Sequence, residues 1–185
     1  MSLVDWFEKG MTFEEYRSKM QTNQQELTHV FENVSFTEDD ISIFNHLKDR
    51  NLRGIVLTAD WCGDAALCVP IFQRIAEFSN IDLHFLIRDE NMELMNQYLT
   101  NGTSASIPIF IFFDKFGKEV MVWGPRTPEV QELITTLVAA LPEKDAVDFK
   151  EKQMQMYSSL KEKLTTDHSI WRTVIDSAKV TFTSL

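Results

Sequence analysis

The stretch Gly54-Ile55-Val56-Leu57-Thr58-Ala59-Asp60-Trp61-Cys62-Gly63-Asp64-Ala65 decides the fold. Ile55-Val56-Leu57 is a short apolar run, rich in β-branched residues and bounded by Gly54 and polar residues, which is the pattern of a buried strand. From Cys62 to Phe78 the apolar residues recur at helical spacing, so strand passes to helix through a short turn that ends on a cysteine. A cysteine there faces unpaired backbone N–H groups and the positive end of the helix dipole, both of which favour the thiolate. Cys62 is therefore the candidate nucleophile.

Outward from this unit, Leu83-His84-Phe85-Leu86-Ile87 reads as a strand and Glu90 to Tyr98 as a helix, an alternation that builds a parallel βαβ core. Pro108 to Phe113 and Glu119 to Trp123 flank the turn-rich Asp114-Lys115-Phe116-Gly117 and form an antiparallel hairpin. Thr127 or Pro128 opens a last core helix reaching Leu141. Before the core, Phe13 to Val34 has helical periodicity interrupted around Asn23-Gln24-Gln25, giving one amphipathic helix or a broken pair. Thr37-Glu38-Asp39-Asp40 caps a further helix expected to run to about Lys48. After Pro142 a helix carries Phe149, Tyr157, Leu160 and Leu164 on one side, and Thr166 or Asp167 caps another with an Ile170, Trp171, Val174, Ile175, Ala178 stripe. The chain divides into an N-terminal helical segment packed on the core (1–50), a core domain (51–141) and a C-terminal helical extension (142–185).

The order β-α-β-α-β-β-α, with Trp61-Cys62-Gly63 entering the helix after the first strand, Pro70 inside that helix, Ile107-Pro108 at the late hairpin and Gly124 at its end, resembles the thioredoxin family. The resemblance spans roughly residues 55–141. It implies an α/β thioredoxin-like fold, a central mixed sheet with helices on both faces, here with added N-terminal and C-terminal helices. It also implies that Pro108 is a cis-proline beside the cysteine, and that Trp61, Gly63, Asp64, Ile107 and Pro108 border the substrate, Ile107 pairing with an extended backbone. The Trp-Cys-Gly-Asp-Ala form points to a bacterial subgroup.

The departures from the family are chemical. Its Cys-x-x-Cys pair is reduced to Cys62-Gly63-Asp64-Ala65, so no resolving thiol follows the first, and Val56 stands where the family has a buried aspartate. Cys68 is no substitute, because six helical residues turn it by about 240° net and about 9 Å along the axis, beyond the reach of a disulfide. It reads as a small buried residue. Asp60 and Asp64 set negative charge near Cys62 and oppose the helix dipole, which leaves the sign of the thiol's shift open; Asp64 equally suits a helix cap.

Two functional readings follow. In the first, Cys62 performs monothiol thiol–disulfide exchange on a protein or small-molecule disulfide, making the chain a thiol–disulfide oxidoreductase without a resolving cysteine; an external low-molecular-weight thiol is the co-substrate. In the second, the fold serves as a redox-inactive protein-binding module. No resident cofactor is expected: the chain shares only Cys-Gly with the cluster-binding Cys-Gly-Phe-Ser motif, and His29, His46, His84 and His168 lack metal-ligand spacing. With 18 basic against 28 acidic residues and a net charge of −10, neither nucleic acid nor an anionic membrane is an expected partner. The acidic N-terminus does not resemble a signal peptide, no apolar run reaches membrane-spanning length, and two cysteines are too few for a secreted scaffold, so the expected location is the cytoplasm.

Overall fold

A computed structural model describes residues 1–185. Four strands, β1 (Arg53–Thr58), β2 (Asp82–Ile87), β3 (Ile109–Phe113) and β4 (Glu119–Trp123), form one sheet in the order β2-β1-β3-β4. β1 runs parallel to β2 and antiparallel to β3, and β3 pairs antiparallel with β4. The central position of β1 explains its unbroken apolar run: Val56 sits opposite both Phe85 and Phe110, with helices covering the sheet above and below.

Helix α1 (Leu3–Lys9) covers one face, where Phe7 meets Phe113 edge-on; the chain then passes the β2 edge, with Met11 bridged to Phe85, and α2 (Phe13–Lys19) lies on the opposite side, with Tyr16 stacked on Phe85. On that opposite side α5 (Gly63–Ser79) lays Phe72 on Phe110 at 4.1 Å between ring centroids, and α9 (His168–Thr183) sets Phe182 against Phe112. One hydrophobic core extends from Trp6 to Phe182, so both terminal segments share the interior of the α/β unit. The remaining helices are α3 (Gln24–Asn33), α4 (Glu38–Asn45), α6 (Met92–Met95), α7 (Pro128–Ala139) and α8 (Phe149–Thr166). No helix is long and apolar enough to cross a membrane.

Several boundaries differ from the sequence expectation for local reasons. The 13–34 periodicity resolves into a broken pair, because Asn23 adopts the left-handed conformation at φ 55° that asparagine tolerates. α4 stops at Asn45 rather than Lys48, and Lys48–Arg50 form a 3₁₀ turn ending at left-handed Asn51. The helix expected over 90–98 shrinks to α6 after a 3₁₀ turn at Arg88–Glu90, since Asn91 turns its side chain back to the Ile87 carbonyl. β3 begins at Ile109, one residue after Pro108, which has no N–H to give to the ladder. α7 ends at Ala139, two residues short of Leu141. α1 lies outside the helices expected from periodicity, and Ser2 and Asp5 form a reciprocal capping box at its start.

Candidate functional site

β1 delivers the chain to a turn that ends on Cys62, the N-cap of α5; the Cys62 N–H donates to Ala59 O at 3.2 Å and its carbonyl accepts from Ala66 N. The thiol points across the turn and donates to the Ile107 carbonyl at 3.4 Å. The Ile107–Pro108 peptide is cis, and the Ile107 N–H makes no backbone hydrogen bond. Gly124 packs behind this junction at φ +128°, where an added Cβ would lie 2.2 Å from the Pro108 carbonyl oxygen. Only glycine fits that approach.

Trp61, Cys62, Gly63, Asp64 and Ile107 line one open groove together with Arg88 and Arg126. Trp61 is 52% exposed, and the Arg88 guanidinium sits 4.7 Å from its ring centroid while donating to Ala105 O, so Arg88 braces the two walls. Pro108 is buried next to Ile107 and is not among the side chains lining this groove. A second cleft of about 400 Å³ shares Trp61, Gly63, Asp64 and Arg126 and is closed on its far side by α7 and α8.

Electrostatics at the thiol follow from two aspartates that turn in different directions. Asp60 faces away, its carboxylate accepting from Gln21 N and Thr22 N in the α2–α3 connection. Asp64 is 8% exposed and pairs with Arg126 at 2.6 Å; it makes no helix cap. Burial pushes its carboxyl above the usual range, and Arg126 offsets that only in part. Cys62 is itself 9% exposed. Its thiol is pushed up to about 11, first by burial and then by the Asp64 charge, against the weaker pull of backbone N–H groups and Arg126. The helix terminus is present, but it does not win.

Cys68 is wholly buried with its thiol raised well above the ordinary value by burial, and both cysteines are free. Ala65 and Val56 are buried apolar residues, so neither thiol nor carboxylate stands where a dithiol relay needs one. No three His, Cys, Asp or Glu side chains converge as a metal-binding group. Arg88 and Arg126 were invisible to sequence reasoning. Arg126 stands two residues beyond Gly124, and no spacing signal links it to a partner 62 positions earlier in the chain.

A family model described as Thioredoxin matches residues 10–142, more than half of the chain. Thioredoxin H9 of Arabidopsis thaliana is 28% identical over 98 residues, covering 51% of this chain and 67% of that protein. Among solved structures, a Pseudomonas aeruginosa protein of unknown function covers 100% of this chain and 98% of its own at a TM-score of 0.71 and 14% identity. An HIV epitope-scaffold covers 100% and 99% at 0.68 and 14%. The fold likeness therefore includes the helices at both ends.

Proposed function

The chain belongs to the thioredoxin family, and on that premise we propose that its Cys62 groove binds an extended polypeptide segment without turnover, the thiol being protonated at rest. One observation carries this reading: Cys62 is buried against the Ile107 carbonyl, beside the Asp64 charge, with its thiol pushed up to about 11. At neutral pH that leaves on the order of one thiolate in ten thousand molecules. The free Ile107 N–H and the exposed Trp61 ring are groups that suit a bound main chain. The reading is of a cytoplasmic protein, where both thiols stay reduced.

A second reading, monothiol exchange, is favoured by the position of Cys62 in the wall of an open groove. There the Cys62 thiolate would attack a substrate disulfide, forming a mixed disulfide and releasing one substrate thiol. An external low-molecular-weight thiol would then attack the substrate sulfur, freeing Cys62 and leaving that sulfur in a new disulfide. No resident cofactor takes part.

The rate of Cys62 alkylation against pH separates the two, with Cys62→Ser subtracting any reaction at Cys68 and Cys68→Ala as the reciprocal control. Binding without turnover requires a midpoint at or above the unperturbed value of about 8.5, in the direction that burial and the Asp64 charge push the thiol. A midpoint below the unperturbed value of about 8.5 would overturn it in favour of exchange.

A further inference from the structure

We infer that the cleft between the first turn of α5 and helix α8 is a second subsite of the Cys62 groove, taking an apolar side chain and the adjoining peptide unit of the same bound polypeptide. The inference rests on the polypeptide-binding reading and extends it to residues outside the family's groove.

Continuity is the first argument. Trp61, Gly63, Asp64 and Arg126 line both spaces, and nothing lies within 4 Å of where a Gly63 side chain would begin, so a chain passing Cys62 crosses Gly63 unobstructed. The second argument is the lining: beyond Gly63 the walls become Ile134, Tyr157, Leu160 and Leu164, around a volume of about 400 Å³. Apolar walls of this size hold a large side chain.

The third argument selects the kind of occupant. Asp64 Oδ1 and Arg126 Nε are buried and have no partner within the protein, although the two side chains pair through their other atoms. Buried polar atoms in folded proteins are nearly always hydrogen-bonded. One missing donor and one missing acceptor are what a peptide unit supplies with its N–H and C=O, whereas an anion answers only the arginine. Rotation of the carboxylate about Cβ–Cγ lets one oxygen keep Arg126 while the other accepts. The charges agree: Asp64 balances Arg126 and Glu26 balances Lys161 at 2.7 Å, so the lining is neutral overall and suits an uncharged segment.

The test selects binders from a pool of blocked random hexapeptides on the immobilised full-length protein, then titrates the leading peptides by amide NMR shifts. The subsite requires an apolar residue at one fixed position, shifts at Ile134 and Tyr157, and binding about tenfold weaker when that residue becomes glycine. Ile134→Trp, which fills the cleft, should abolish the preference and keep the shifts at Trp61 and Ile107. Tyr157→Ala, at a half-exposed position where folding is not at stake, should weaken the preference in the same direction. Peptides that bind with shifts confined to 61–63 and 104–107, indifferent to both variants, would overturn the subsite and leave the groove. A pool from which nothing is retained would overturn both.

Discussion

Asp40 and Asp64 are two aspartates buried beside arginines, one in the clamp between α4 and α9, the other at the Cys62 end of α5. Asp40 is 1% exposed and its carboxylate is saturated: Arg172 donates through both arms, Lys179 at 2.9 Å and the Thr37 N–H at 2.9 Å. Burial pushes its carboxyl up, but these donors outweigh burial and hold it well below the usual range. Asp64 has one ion-pair partner and one oxygen with none, and burial prevails. A filled network fastens structure, whereas a half-filled one marks a place where the protein has kept polar capacity for something else.

The largest effect should come from breaking the filled network. Asp40→Ala removes the acceptor shared by Arg172 and Lys179, leaving them Asp176 and Asp39 on the surface. We expect a loss on the order of 3 kcal/mol in urea unfolding, with little change in Cys62 alkylation. A loss below about 1 kcal/mol, the size typical of a surface pair, would show that the cluster is not a clamp.

Smaller and opposite effects are expected at the other pair. Arg126→Gln strands the Asp64 charge, and the expected cost is about 2 kcal/mol, with the Cys62 midpoint moving higher. Asp64→Asn leaves Arg126 able to reach solvent, so stability should change by about 1 kcal/mol or less while alkylation at pH 8 becomes several-fold faster. Rates that move in the same direction in both variants would mean that this pair does not set the thiol's charge state.

Sequence reasoning reached whatever is encoded locally. The strand–turn–helix at 55–78, the hairpin at 109–123 and the stripe of α9 follow from periodicity and turn residues, and the contact of Gly124 with Pro108 needs the one residue without a Cβ. What escaped depends on which way side chains turn after packing. Asp60 and Asp64 look alike in the sequence, yet one satisfies the α2–α3 connection and the other a distant arginine. The sign of the Cys62 shift depends on burial set partly by Ile107, 45 residues away. The α8 wall of the cleft joins Tyr157 and Leu160 to Trp61, and that meeting is written nowhere in the spacing of either segment.

The two carboxylates should also be told apart by acid, in the smallest of these effects. The Asp40 carboxyl titrates in the folded protein below its ordinary value of 3.8, so it binds its proton less readily folded than unfolded. Its contribution is complete above that ordinary value and is lost as pH falls through the lowered one. Asp64 titrates above 3.8 in the folded state, so the sign reverses: its contribution is complete below pH 3.8 and is lost as pH rises through the raised value. Urea unfolding at steps between pH 3 and 7 should therefore show wild type losing its advantage over Asp40→Asn at the acid end. Over the same range Asp64→Asn should gain on wild type as pH climbs from about 4. If both differences ran the same way, Asp64 would be a second saturated clamp, and the free polar capacity beside Cys62 would not exist.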